Sequence, residues 1–156
     1  MGATEDRIAA MGLTLHGPHR PHEPLDAVVV WGGVARTSGT LPRIDGKLTC
    51  VGVVGDTVSI DEAYEAAAVC ALNALCLLRD ELGTLDRIER ILSVTGYVAS
   101  APGFDQQPAV MDGASKVLVD IFGGDAGRHT RSAIGVAALP RGGAVEIEMT
   151  AAIRQE

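Results

Sequence analysis

The chain has 156 residues, of which 47% are hydrophobic and 21% charged, and its formal net charge is −7. This composition indicates a folded globular chain, most economically one domain over residues 1–156. The negative charge argues against a nucleic-acid partner, because such proteins neutralise phosphates with Lys and Arg. Aromatic residues are only 3% of the chain, so platforms for stacking single-stranded bases are missing as well.

The sequence also predicts a cytoplasmic protein. No apolar run reaches the length of a membrane span, and acidic Glu5 and Asp6 stand where a signal peptide would be positively charged. The three cysteines, an odd number, suit a reducing compartment better than a disulfide framework. Cys70 and Cys76 fall in a helical run, where a free thiol usually acts as a small hydrophobic side chain.

Residues 1–24 predict a short helix followed by a Pro-broken connection. Thr4 is the predicted N-cap of a helix over residues 4–12, and Gly12 is its predicted stop. The connection carries three histidines, His16, His19 and His22. Its prolines and irregular spacing leave nothing to aim the imidazoles, so the prediction is an exposed loop and no metal site.

A hairpin and a long helix follow. Two β-rich runs from Ala27 are joined by Gly32-Gly33, a two-residue link typical of a β-hairpin. The apolar spacing predicts a helix over Thr57–Leu82, with a capping box from Ser59 and Glu62. Gly83 ends this helix.

The rest of the chain predicts a strand over Arg90–Ala99, a helix over Pro108–Phe122 and a second hairpin. This hairpin joins two C-terminal strands through a Pro/Gly turn, and period 2 puts Glu146 and Glu148 on one face of its second strand. The order of elements predicts an α+β fold, a mixed sheet with two helices packed on one face. The opposite face then needs a cover, which predicts a homo-oligomer.

The charges in the last two strands need a reason, because buried charges are costly unless they are paired or used. Arg131 presents parallel donors suited to a substrate carboxylate, and the alternative is an intersubunit salt bridge to Glu146 or Glu148. Glu146 is a candidate for polarising water, although Glu148 shares its face and both fit a solvated or ion-paired role.

Two further polar residues are weaker candidates. Ser38 lacks a His-Asp relay in the sequence, so its hydroxyl is predicted either to donate to a substrate or to bond at the strand end. His129 either lines the cleft or is a solvated loop histidine. The Gly-Gly pairs lack a strand–GxGxxG–helix context, so no dinucleotide cofactor is predicted.

Several motifs together resemble the YjgF/UK114 (Rid) superfamily, with matching order and spacing over residues 25–153. They are Ser38-Gly39-Thr40-Leu41-Pro42, Leu85-Asp86-Arg87-Ile88, Phe122-Gly123, Arg131-Ser132, Leu139-Pro140 and Val145-Glu146-Ile147-Glu148. The resemblance implies a chorismate-mutase-like fold and a homotrimer whose sheets face inward, with a cleft at each subunit interface. It further implies hydrolysis of reactive 2-imino or enamino acids to 2-oxo acids and ammonia, without metal or cofactor. A trimer that only binds small carboxylic acids is the alternative.

The resemblance also implies the roles of individual residues. Arg131 would grip the substrate carboxylate, Glu146 would position or activate water, and Ser38 would line the pocket. Three other implied substrate-binding positions depart from the deaminase pattern: Leu25 stands for a Tyr, Ser115 for an Asn and Ala133 for a Cys.

Overall fold

The structure, a computed structural model, describes residues 2–17 and 19–155. Within them lie helices α1 (Ala3–Ala10), α2 (Ile60–Leu82) and α3 (Gln107–Phe122), and strands β1 (Val28–Trp31), β2 (Val34–Thr37), β3 (Arg43–Ile44), β4 (Lys47–Leu48), β5 (Ile88–Ala99), β6 (Thr130–Val136) and β7 (Val145–Ile153). Short 3₁₀ turns precede β5 and β7, at Leu85–Arg87 and Pro140–Gly142. A hydrophobic core extends from Ile8 in α1 to Ile153 in β7.

Five of the strands form one sheet in the order β1-β2-β7-β5-β6, and β3 and β4 form a separate ribbon. β1 and β2 are antiparallel and turn at Gly32-Gly33, as predicted. Both glycines have positive φ, 58° and 77°, which a tight hairpin turn requires and most other residues resist.

The predicted C-terminal hairpin is wrong, because β6 and β7 do not pair. β5 lies between them, parallel to β6 and antiparallel to β7. The chain reaches β6 from β5 through α3, and such a helical crossover returns the chain as a parallel neighbour. The Pro/Gly turn at Pro140–Gly142 therefore carries the chain past β5 to β7 instead of folding β6 back on itself.

The main helix begins and ends on local signals. The backbone N–H of Glu62 donates to the Ser59 hydroxyl, and the Glu62 carboxylate accepts from the Ser59 N–H, which confirms the capping box. α2 therefore starts at Ile60 and not at Thr57, and Gly83 ends it with φ 82°.

The two long helices lie on one face of the sheet, as predicted, and small residues bring them close together. The α2 residues Ala63, Ala67 and Ala71 are fully buried. In α3, Gly113 lies against the backbone of α2, where an added Cβ would collide with the carbonyl oxygen of Tyr64. The α2–α3 contact thus depends on a residue without a side chain.

The N-terminal helix is capped from far along the chain. α1 has Gly2 at its N-cap position, so the predicted Thr4 cap is wrong. The carboxylate of Asp86 instead accepts hydrogen bonds from the backbone N–H groups of Ala3 and Thr4, at 2.7 and 2.8 Å. The Thr4 hydroxyl also donates to Asp86, and these bonds lower the pKa of that carboxyl.

The sheet face opposite α2 and α3, here called the outer face, carries Glu146 and Glu148. Alternate β7 residues from Val145 to Ile153 are buried under the helices, which confirms the predicted period of 2. At the two edges of the outer face, Trp31, Val29 and Ile134 are 85%, 54% and 43% exposed. Among the described helices, none has the length and apolar character needed to cross a membrane.

Candidate functional site

Arg131 lies on the edge strand β6 and points toward α3. Its Nη1 donates to Asp112 Oδ1 at 2.9 Å and to Ser115 Oγ at 3.0 Å, and its Nη2 donates to the Pro108 carbonyl at 3.3 Å. These three partners on one helix hold the guanidinium plane in place. Within residues 2–17 and 19–155, Nε has no hydrogen-bond partner, so Nε and the second hydrogen of Nη2 remain for a ligand.

A hydrogen-bond chain continues from Arg131 to a histidine. His129 Nδ1 lies 2.7 Å from the Gly127 carbonyl, and its Nε2 lies 2.9 Å from Ser115 Oγ. A carbonyl only accepts, so Nδ1 carries a hydrogen, and an Nε2 without a hydrogen accepts from the Ser115 hydroxyl. In that arrangement Ser115 accepts a hydrogen bond from Arg131 and donates one to His129. His129 is therefore hydrogen-bonded on both ring nitrogens and belongs to the same chain of contacts as Arg131.

Glu146 lies in a different place, a cavity of about 480 Å³ that Ser38 and Leu25 also line. The cavity is bounded by the start of β7, the segment after β2, α2 and the connection before β1. Burial, together with the neighbouring charge of Glu148, raises the pKa of Glu146 above its ordinary value of 4.5. A carboxylate with a raised pKa is a stronger base than one in water.

The Ser38 hydroxyl is already engaged. It donates to the Asp26 carbonyl at 2.7 Å, and the Ser38 backbone N–H donates to the Ala27 carbonyl at 2.8 Å. This is the strand-end bonding that the sequence left open as an alternative. With its hydrogen engaged, the Ser38 oxygen is available to a ligand as an acceptor.

The predicted site residues separate into two groups. Arg131 pairs with Val94, whose side chain is buried under the helices, whereas Glu146 pairs with Tyr97 on the outer face. β6 and β7 are two strand spacings apart, and the β5 partners Val94 and Tyr97 are three residues apart along the strand. The Cα atoms of Arg131 and Glu146 are therefore about 14 Å apart, and their side chains lie on opposite faces of the sheet. Ser115 and Ala133 lie with Arg131, and Ser38 and Leu25 with Glu146. The structure therefore does not bring Arg131 and Glu146 of one chain together, and their joint role in one site stays a prediction.

Glu148 has partners of its own on the outer face. Its Oε1 accepts from Arg36 Nη2 at 3.2 Å and from the Tyr97 hydroxyl at 3.3 Å. Burial, and then the Glu148 charge, raise the pKa of Tyr97. Within the chain, Arg131 pairs with Asp112 and with neither of the two β7 glutamates. The catalytic assignment of Glu146 stays a prediction.

Several residues of the two groups were missed from the sequence. Asp112 was missed, although it lies three positions before Ser115 on one helix, so the two residues share a face, and that spacing was a readable signal. His19 and His22 line the Glu146 cavity, but the irregular connection that carries them offered no pattern. Within the described chain, no group of three or more His, Cys, Asp or Glu side chains is arranged to hold a metal ion.

The fold and these two groups of residues define a small α+β protein of the chorismate-mutase-like type. Residues 5–150 match the family described as "YjgF/chorismate_mutase-like, putative endoribonuclease". The chain is also 34% identical over 147 residues to protein TCP17 of Trypanosoma cruzi, covering 94% of this chain and 92% of that one. This chain belongs to the YjgF/UK114 superfamily.

Two solved structures place the fold among known proteins. The protein Atu1372 of Agrobacterium tumefaciens is 35% identical, with a TM-score of 0.89 over 97% of this chain and 94% of that one. E. coli TdcF, solved with bound serine, is 19% identical with a TM-score of 0.62, over 91% of this chain and 96% of that one. At that identity TdcF shows the fold alone.

Proposed function

We propose that this protein hydrolyses small reactive imino or enamino carboxylates to 2-oxo acids and ammonia. The observation that carries the proposal is the geometry of Arg131. Its guanidinium is held by Asp112, Ser115 and the Pro108 carbonyl, and one edge of it remains for a carboxylate. A fixed fork of donors orients a carboxylate as well as binding it.

Glu146 supplies the second part of the proposed reaction. With the substrate carboxylate at Arg131, the Glu146 carboxylate accepts a proton from water as the water oxygen bonds to the imine carbon. The proton returns to the nitrogen to give a carbinolamine. Its hydroxyl proton then passes to the amine nitrogen, the C=O bond forms as the C–N bond breaks, and the products are a 2-oxo acid and ammonia. Imines hydrolyse readily in water, so the protein need supply only a modest acceleration, within the range of one positioned base.

The proposal requires an assembly, because Arg131 and Glu146 of one chain are too far apart to contact one small molecule. A second copy that brings its β6 edge against the Glu146 cavity completes the site. The resemblance to the superfamily supports a homotrimer as this assembly. The exposed apolar residues Trp31, Val29 and Ile134, on both edges of the outer face, support contacts between copies.

The second candidate is a trimer of the same geometry that binds small carboxylic acids without turnover. Leu25 favours it, because this cavity residue offers no polar group to a substrate. The engaged hydroxyl of Ser38 favours it too. The structure of TdcF with bound serine supports a small carboxylate-bearing ligand in either case. Both candidates place the protein in the cytoplasm, with no nucleic acid, metal or cofactor taking part.

The discriminating experiment generates a panel of 2-imino acids with an amino-acid oxidase and follows their trapping by semicarbazide. We expect the wild-type protein to suppress trapping and Arg131→Ala to lose most of that effect. No suppression for any imine, with measurable binding of 2-oxo acids, would favour the non-catalytic binder. A structured RNA incubated in parallel tests the activity in the family description, and we expect no cleavage.

The assembly has a separate test. Light scattering should give three times the 16.2 kDa subunit mass. A measured mass of one subunit would contradict a site shared between Arg131 of one copy and Glu146 of another.

A further inference from the structure

The Glu146 cavity has a cationic wall that the proposed reaction does not use. Four basic residues line the cavity, His19 and His22 from the N-terminal connection, Arg43 from β3 and Arg141 from the turn before β7, and the wall is formed by His19, Arg43 and Arg141. Among the described residues that line the cavity, Glu146 is the only acid. The whole chain has a net charge of −7, so this wall is a local concentration of positive charge and not part of a basic surface.

The two arginines of this wall have few partners in the chain. Nη1 of Arg43 donates to the Gly46 carbonyl at 3.1 Å, and its buried Nε has no partner. Within the part of the chain that the structure describes, neither Arg43 nor Arg141 forms an ion pair with an acid. Two guanidinium groups beside one cavity without a counter-charge are suited to an anion from outside the chain.

Asn73 of α2 shows that the hydrogen bonding of this wall is incomplete. Its Nδ2 donates to the carbonyls of Leu41 and Arg43, at 3.0 and 2.9 Å, which holds the segment carrying Arg43 against α2. The Asn73 side chain is only 7% exposed, and its Oδ1 has no partner. An unpaired acceptor and an unpaired donor, Asn73 Oδ1 and Arg43 Nε, thus lie buried in the same wall. Buried polar atoms are seldom left unpaired in a finished site.

Arg141 and His19 add two observations. Arg141 has a left-handed backbone, with φ 55°, a conformation that costs free energy for a residue with a side chain and tends to persist where it serves a site. Burial, and then the charges of Arg43 and Arg141, lower the pKa of His19. The charges of the two arginines therefore act on the His19 ring, which the lowered pKa favours as a neutral hydrogen-bonding group beside the two cations.

We propose that the wall of His19, Arg43 and Arg141 binds a second anionic group of the substrate, so that the substrate is a dianion. This inference rests on the proposed function, with the first carboxylate at Arg131. The distal group is a carboxylate or a phosphate, which present the same acceptor chemistry to guanidinium. The cavity volume of about 480 Å³ suits a small dicarboxylate or its phosphorylated counterpart.

The kinetic test compares imines that differ only in the distal charge, made by an oxidase from glutamate and from its neutral amide, glutamine. The variant is the double substitution Arg43→Gln and Arg141→Asn. Gln keeps a donor for the Gly46 carbonyl, and Asn tolerates a left-handed backbone. Arg90→Gln is the matched control, because Arg90 is exposed on β5 and lines none of these cavities.

We expect the wild type and the control to prefer the dicarboxylate imine, and the double variant to lose about 10- to 100-fold in kcat/KM for it. Activity on the neutral imine should stay within about twofold, the scatter usual for surface changes. Equal activity of the wild type on both imines would overturn the dianion inference and leave the proposed function standing.

A binding measurement covers the case in which no imine is hydrolysed and the proposed function fails. Calorimetric titration compares 2-oxoglutarate, its distal phosphonate analogue and the uncharged-tail analogue 2-oxopentanoate. Tighter binding of either dianion than of 2-oxopentanoate supports the proposed anion-binding role of the wall, provided that the double variant loses the difference and Arg90→Gln keeps it. The dianion that binds more tightly shows whether the distal group is a carboxylate or a phosphate. Equal dissociation constants for all three ligands would overturn the inference.

Discussion

The two charged regions of this chain differ in how complete they are. Around Arg131, the guanidinium, Ser115 and His129 each have hydrogen-bond partners within β6, α3 and the loop between them. Around Glu146, the carboxylate is half-buried without an ion-pair partner among the described residues, and neighbouring Asn73 and Arg43 each hold an unpaired buried atom. One region holds its cation in a fixed position with one edge left for a ligand, and the other leaves buried polar atoms without partners among the described residues.

This difference indicates which region is suited to bind the substrate carboxylate and which is suited to transfer a proton. A group that recognises a ground-state carboxylate works best when it is held rigidly before the substrate arrives. A group that takes and returns a proton needs a raised pKa, which burial without a counter-charge provides. We therefore expect substitution of Glu146 to lower kcat, and substitutions around Arg131 to raise KM.

The largest effect is expected for Glu146→Gln. If Glu146 is the base, kcat should fall by about 100- to 1,000-fold while KM changes little, because Gln keeps the shape and loses the basicity. The free energy of unfolding near neutral pH should not fall, since the raised pKa means that the ionised carboxylate is disfavoured in the folded state. Steady-state kinetics and thermal unfolding of the same sample test both statements. An unchanged kcat would remove Glu146 from the mechanism.

Arg131→Ala comes next, with an expected loss of about 100-fold in kcat/KM, because two charge-assisted hydrogen bonds to the substrate disappear. Arg131→Lys keeps the charge and loses the planar fork, so it should recover only part of the activity. Both variants should fold, since the Asp112 partner is exposed and tolerates the loss of its ion pair. Equal activity of the Lys variant and the wild type would show that charge alone suffices.

The sequence predicted most of what is local in this fold. The capping box at Ser59 and the alternation in β7 are patterns within a few residues, and both are confirmed. The β6–β7 hairpin failed because the true partner of β6 is β5, which the whole of α3 separates from it in the chain. Thr4 failed as a cap because the capping carboxylate, Asp86, lies 82 residues away.

The candidate site shows the same limit. Arg131 and Glu146 were singled out correctly as charges on strands, but their separation depends on strand order, which local patterns do not encode. The hydrogen-bond chain from Arg131 through Ser115 to His129 joins a helix to a strand. Its members have no shared period in the sequence, so their contact became readable only in three dimensions.

A smaller effect is expected for Ser115→Ala, which removes one partner of Arg131 and leaves Asp112 in place. KM should rise by about three- to tenfold, in line with the loss of one hydrogen bond that orients a charged group, while kcat should change little. Ser132→Ala, on the same strand as Arg131 but on its opposite face, is the matched control and should leave KM unchanged. A change in kcat alone would instead point to Ser115 and His129 in proton transfer.

The smallest effect is expected for Glu148→Gln, and it is a shift in the pH dependence of kcat/KM. This shift tests the Glu146 region directly. Burial is the main cause of the raised pKa of Glu146, and the Glu148 charge is the second. A base must be deprotonated to act, so kcat/KM should rise with pH along an acidic limb above the ordinary glutamate value of 4.5. Removing the Glu148 charge lowers the pKa of Glu146, and the acidic limb of the profile should move to lower pH while its midpoint remains above that value.

The glutamine amide in this variant keeps an acceptor for Arg36 and Tyr97, so the contacts of the outer face are retained. A limb that does not move, or moves to higher pH, would mean that a group other than Glu146 controls the acidic side of the profile.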